Sequence, residues 1–310
     1  MQETQTTNTV LMIRPARFRS NPETAASNAF QQADPGHDIA GVQLLAEQEF
    51  EALAAALKEA GVNVLIYADT PSPDKPDAVF PNNWLSTHAD GTVVLYPMQA
   101  TNRRVERRPE ILAGLAAENG FAVGSTIDLS GAEQRGQFLE GTGSMVLDRV
   151  HRIVYACISP RTHPDVLKGW CARFDYEPVT FSAISNGQPI YHTNVMMSIG
   201  SRIAVICLAA IESADEREMV RSRLESTGHR IIDITPAQMN AFAGNILELA
   251  GADGGSVFVM SQRAYDSLDD AQRAQIGSHS KIVSVPITTI EDHAGGGVRC
   301  MLAEIFLPRG

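Results

Sequence analysis

A chain of 310 residues is long enough to bury a substantial core, and 44% hydrophobic with 20% charged residues is the balance of an ordinary globular domain rather than of a disordered or fibrous one. A net charge of −11 leaves no broad basic face for a polyanion, so nucleic acid is not an expected partner. The four cysteines form no C-x-x-C pair, which argues against a structural zinc or a disulfide framework, and the longest apolar run, 203–211, is about half of what a membrane span needs. The expectation is a cytoplasmic protein in a reducing compartment, away from membranes.

Residues 10–13 read as a short buried strand, followed by an unusual polar stretch, 18–38, that is either a lid or binding loop or a disordered excursion. Residues 43–60 are helical by period, with Leu44, Leu45, Phe50, Leu53 and Leu57 expected on the buried side and Gly61 as the stop. A strand at 62–67 and a turn-rich link lead to the strand-like runs 78–86 and 92–96, joined by Asp90-Gly91 as a hairpin.

The same order then recurs: a helix at 108–119 and a strand at 121–129; strands at 144–147 and 152–156, a helix at 164–174 and a strand at 177–181; strands at 195–199 and 203–208, a helix at 215–227 and a strand at 230–234. Strands at 245–249 and 256–260, helical segments within 262–275, a strand at 282–285 and a last strand near Cys300 complete the chain. This amounts to about five strand–strand–helix–strand units of roughly 50 to 65 residues, without sequence self-similarity and with the terminal strands sharing one unit. A doubly wound sheet would alternate single strands and helices and open with a glycine-rich phosphate turn, and the chain has none. A closed ring of such units would bring one loop of each to a common centre. The polar outliers Asp77 to Asn83, Glu140, His192 to Asn194, and Cys300 all fall in those loops.

Cys300 follows Gly295-Gly296-Gly297-Val298-Arg299. Three successive glycines pack nothing and are tolerated where backbone passes close to a ligand or takes positive φ, and the adjacent arginine could favour a thiolate. Cys157 and Cys207, inside apolar runs, read as packing residues. Glu140, before a glycine turn, is either a capping residue or the carboxylate that holds an imidazole. His192, at the head of an apolar strand, is either a hydrogen-bonded structural residue or a proton shuttle, with His293 as its competitor. A cysteine, a histidine and an acid in one site would suit covalent hydrolysis of a C–N bond.

The ordered segments Asp77-Ala-Val-Phe-Pro-Asn-Asn83, Arg103-Arg104-x-Glu106, Leu139-Glu140-Gly-x-Gly143, Ser159-x-Arg161-Thr162, His192-x-Asn194 and Gly295-Gly-Gly-Val-Arg-Cys300 resemble those of the guanidine-modifying enzymes, or penteins, most nearly an amidinotransferase-like branch with citrulline utilisation hydrolases. The resemblance implies one catalytic domain over 1–310, a five-bladed α/β propeller of pseudo-symmetric ββαβ units, no cofactor and no metal. It makes Cys300 the nucleophile, His192 the acid and base, and Glu140 the carboxylate that serves the histidine or the substrate nitrogen. Arg161 with Arg103 or Arg104 would take the substrate carboxylate, Asp77 the amino end, and Phe80 would line the slot.

The chain departs from the arginine-type pattern at two places where aspartates usually grip the guanidinium, and which hold Asn83 and Asn194. A guanidinium between neutral amides lacks a counter-ion, whereas an amide matches a neutral ureido group. The resulting expectation is a hydrolase of ureido or guanidino amino acids, with citrulline preferred and converted to ornithine, ammonia and carbon dioxide. If Asp77 supplies the charge instead, an arginine or methylarginine hydrolase follows. An amidinotransferase and a non-catalytic binding module of the same fold are the remaining readings, and a homo-oligomer is left open.

Overall fold

The computed structural model describes residues 3–25, 27–28, 30–31 and 38–310, apart from the side chain of residue 253. Among these residues are five three-stranded sheets and one two-stranded hairpin, and the five share one pattern. The first strand pairs antiparallel with the second, and the second pairs parallel with the third across a helical connection. The sheets are Leu85–Thr87, Thr92–Leu95 and Ser125–Asp128; Val146–Asp148, Ile153–Cys157 and Glu177–Phe181; Met197–Ile199, Ile203–Ile206 and Arg230–Asp233; and Leu247–Ala250, Ser256–Ser261 and Lys281–Val285. The fifth joins the two ends of the chain, Ala303–Glu304 pairing with Thr9–Arg14 and Thr9–Arg14 with Asn63–Ala68.

Each parallel pair needs a crossover, because two parallel strands cannot be joined by a tight turn. The helices Ile39–Glu59, Pro109–Ala117, Pro164–Phe174 and Ala214–Ser226 and the pair Gln262–Ser267 and Asp270–Gly277 supply it. First strands of neighbouring sheets lie next to one another, 146–148 beside 197–199, 197–199 beside 247–250, and 303–304 beside 85–87. No helix among the described residues is long and apolar enough to cross a membrane.

The long helix corrects one expectation. Ile39–Glu59 buries Val42, Ala46, Phe50, Leu53, Ala54 and Leu57, whereas Leu44 is 55% and Leu45 50% exposed. Positions 46, 50, 53 and 57 advance by four, three and four residues and so share one face, which packs with Val10, Met12, Val285 and Ile287. Leu44 and Leu45 fall off that face.

Strand bounds correct others. The runs 195–199 and 245–249 begin not as strands but as turns, and their strands start at Met197 and Leu247. Cys300 likewise lies in the 3-10 turn Val298–Met301, before the last strand rather than at its start. Of the polar stretch 18–38, the described part buries Phe18, Asn21, Thr24 and Asn28 and forms a short helix, Pro22–Ala25. Residues 26, 29 and 32–37 lie outside the described set.

Phe50→Ala should therefore cost about 3–5 kcal/mol and Leu45→Ala less than about 0.5 kcal/mol. Paired denaturant midpoints check this, and equal losses would mean that the buried face has been misassigned.

Candidate active site

A short turn precedes the first strand of every three-stranded sheet, and each turn carries a polar side chain. Pro81–Asn83 holds Asn83. Glu140 caps Gly141–Ser144, His192 caps Thr193–Met196, which contains Asn194, and Cys300 lies in Val298–Met301. The fifth, Asn245, precedes Leu247–Ala250 and was missed in the sequence. Its signal was positional, since it stands at the same place in its unit as the others do in theirs.

The glycines before Cys300 each have a separate reason. Gly295 closes the helix Thr288–Ala294 with φ +63°, in the left-handed region. A Cβ on Gly296 would lie 2.7 Å from the Phe80 ring, and one on Gly297 2.7 Å from Asn245 Oδ1. Backbone and neighbours thus come closer than any side chain permits.

Cys300 is 3% exposed. Its Sγ accepts hydrogen bonds from Asn245 Nδ2 at 3.2 Å and Asn194 Nδ2 at 3.4 Å, while Asn245 also donates to Asn194 O at 2.8 Å. Burial pushes the thiol above its ordinary pKa, and the amides of Asn245 and Asn194 and the charge of Arg299 offset this only in part. Asn194, expected on the substrate, gives its Nδ2 to the Cys300 sulfur and keeps a buried Oδ1 without a partner.

Glu140 Oε2 lies 2.8 Å from His192 Nε2 and 3.6 Å from Arg161 Nη1. Burial drives the imidazole below its ordinary range against the pull of Glu140. The carboxyl of Glu140 would be raised by burial, but Arg161 and then His192 outweigh it and keep the group ionised. A neutral ring donating Nε2–H to Glu140 leaves Nδ1 as an acceptor. Gly143 makes room on that side: a Cβ there would lie 2.8 Å from Nδ1 and 2.4 Å from Asn83 Nδ2. Arg161 is stacked 4.7 Å from the Tyr191 ring centre, donates to Ser27 Oγ at 2.7 Å and keeps a buried Nε without a partner.

The other expected residues divide. Asp77, Phe80, Asn83, Arg103, Arg161, His192 and Cys300 line one cavity, together with Thr24 and Asn28 of the polar segment. Arg103 is already engaged: it forms a forked pair with Glu106, 2.9 Å at both nitrogens, and donates Nη1 to Asn83 Oδ1 at 2.9 Å. It orients the site and has no free fork for a carboxylate. Arg104 is outside the cavity, donating to Met98 O at 3.0 Å and Gln99 O at 3.2 Å. Asp77 Oδ2 accepts from Asn21 at 2.7 Å, and its buried Oδ1 has no partner. His293 is not among the residues that line the cavity.

A family model described as N,N dimethylarginine dimethylhydrolase, eukaryotic, matches residues 14–307. The chain belongs to this family. As a member of the dimethylarginine dimethylhydrolase family, and with it of the pentein superfamily, it is a hydrolase acting on carbon–nitrogen bonds.

The fold is that of three solved structures. One is the N-terminal domain of ArgZ bound to substrate, an arginine dihydrolase from the ornithine–ammonia cycle in Cyanobacteria, at TM-score 0.73 and 20% identity over 96% of this chain and 99% of that one. Another is AgrE in a binary complex with L-arginine, at 0.74 and 19% over 96% of this chain and 40% of that one, so the chain spans well under half of AgrE. The third is a dimethylarginine dimethylaminohydrolase adduct with S-methyl-L-thiocitrulline, at 0.63 and 14% over 96% and 98%. No curated protein sequence matches the chain.

Because two amides hold Sγ, Asn245→Ala should leave less thiolate at a given pH. Alkylation of Cys300 by a neutral haloacetamide should slow about tenfold in mild alkali, as loss of a hydrogen bond to a charged acceptor predicts, with its pH profile moved upward. An unchanged profile would remove Asn245 from the site.

Proposed function

We propose that the chain is a cysteine-dependent hydrolase of guanidino amino acids of the arginine type. The observation that carries this is a buried carboxylate oxygen, Asp77 Oδ1, without a hydrogen-bond partner in the cavity that also holds Cys300. The Cys300 sulfur is buried and held by two neutral amides, so a further cation bound beside it would favour the thiolate. A guanidinium brings that charge with it and a neutral ureido group does not, so the preference for citrulline drawn from Asn83 and Asn194 gives way. Charge balance supports the same reading. Arg103 pairs with Glu106 and lies 3.8 Å from Asp77 Oδ2, and Arg161 faces Glu140, so the carboxylates outnumber the arginines by one, and Asp77 Oδ1 is buried without a partner. This is the counter-ion that the two asparagines lacked. The arginine named for the ArgZ and AgrE structures points the same way.

In the proposed reaction the Cys300 proton passes to His192 as the cation enters, and Sγ bonds to the guanidinium carbon. The C–N bond breaks as His192 gives its proton to the departing nitrogen, which leaves as ammonia or an amine. Water then loses a proton to the same imidazole and adds to the adduct carbon, and the C–S bond breaks. A ureido amino acid and free thiol result, one proton returning to sulfur and one to solvent. Glu140 holds the ring, and Arg161, with its unpartnered Nε, takes the substrate carboxylate. Five sheets in a closed five-bladed ring, in one domain, would set the site on the axis. The adjacency of neighbouring first strands supports that arrangement.

One observation favours a second step on the ureido product. Arg103 donates to Asn83 Oδ1, and Asn83, which lines the cavity, keeps a buried Nδ2 without an acceptor. An N–H there is a donor for a carbonyl, the group that the first step creates.

Arginine, methylated arginines and citrulline should be compared by release of ammonia or amine and of ornithine. Consumption of a guanidino substrate, abolished in a folded Cys300→Ala variant, is expected, with ornithine appearing if the second step runs. Turnover of citrulline alone would overturn the assignment, and transfer to an added amine acceptor would make the protein a transferase.

A further inference from the structure

A second cavity, sharing no lining residue with the first, lies among the first strands of the sheets and the turn that carries Arg299. Its polar wall contains Arg149, Arg299, Glu304, Ser198, Gln5 and Thr142. Most of these groups are spoken for. Arg299 bonds to Glu304 at 2.8 Å, Gln5 bonds to Leu147 O at 2.9 Å, Ile199 O at 3.2 Å and Arg149 N at 2.8 Å, and Thr142 faces Asn82 O at 3.4 Å.

Two groups are left over. Arg149 is 2% exposed, yet among the described residues no carboxylate forms an ion pair with it and its Nη1 has no hydrogen-bond partner. Ser198 Oγ, buried in the same wall, has none either. A buried guanidinium without a counter-charge is rare because the unpaired ion is expensive to hold out of water. The Phe306 ring covers one face of this one at 3.8 Å, so neutralisation has to come in the guanidinium plane, where the N–H groups point. Two arginines therefore share a cavity with one carboxylate, and that carboxylate is engaged by Arg299.

We propose that this cavity binds a small inorganic monovalent anion of halide size, chloride being the natural example, between Arg149 Nη1 and Ser198 Oγ. The space limits the occupant. About 20 Å³ is open to the centre of a water-sized sphere, room for about one or two waters or one small ion. The charge selects an anion over water, and the donors available, a guanidinium N–H and a hydroxyl, suit an acceptor that carries no proton of its own.

The test uses the whole chain in gluconate buffer, with bromide or chloride replacing gluconate at constant ionic strength. Melting should rise saturably by about 2 °C, and crystals soaked in bromide should show anomalous density within hydrogen-bonding distance of Arg149 and Ser198. Arg149→Met should lose both signals. If that variant does not fold, Ser198→Ala should need at least tenfold more halide for half of the effect. No anomalous peak in the cavity, or a halide response that the folded variants share with the parent, would overturn the proposal.

Discussion

The site depends on holding a thiol out of water between two amide donors. Neither donor is near Cys300 in sequence, since Asn194 and Asn245 stand in turns of two other sheets. A sulfur in that position requires three turns to meet within hydrogen-bonding distance, and two further turns bring Glu140 and Asn83. The glycine run follows from the same constraint. With Phe80 and Asn245 packed against the chain just before Cys300, no side chain fits at 296 or 297.

The electrostatics of the cavity follow from pairing. Arg103 and Glu106 satisfy one another and leave Arg103 as a scaffold that turns the amide of Asn83. Glu140 is shared by His192 and Arg161, which keeps it ionised although fully buried. What stays unspent among the residues that line the cavity is one oxygen of Asp77, one nitrogen of Arg161 and one of Asn83, and beside the sulfur the side-chain oxygens of Asn194 and Asn245. A carboxylate, a cationic donor and a neutral donor are the complement of an amino acid with a cationic side chain that becomes a carbonyl compound. The buried arginine of the second cavity follows the same bookkeeping: an ion left without a partner is where a ligand is expected.

Much of this was legible in the chain. The order of elements repeated five times, the shared terminal unit, and the loops that carry Glu140, His192 and Cys300 could be read directly, because hydrophobic period and glycine or turn residues mark elements locally. Bounds were less legible. Short helical turns precede the first strands, and residues such as Val195 and Met196 are apolar and buried in either conformation. Leu44 and Leu45 read as buried because both are apolar, and only the direction of the packed face excludes them.

Residue type and spacing by themselves determined the repeating unit, the candidate cysteine, histidine and acid, and the motifs that carry the resemblance to the superfamily, since each is a property of a short segment. Partnership was decided only in three dimensions. That Arg103 is spent on Glu106 and Arg104 on backbone carbonyls, that Asn194 serves the sulfur, and that Asn245 belongs to the site at all are facts of distance between segments far apart in the chain. The physical reason is that a hydrogen bond or ion pair depends on separation and direction, which periodicity does not encode.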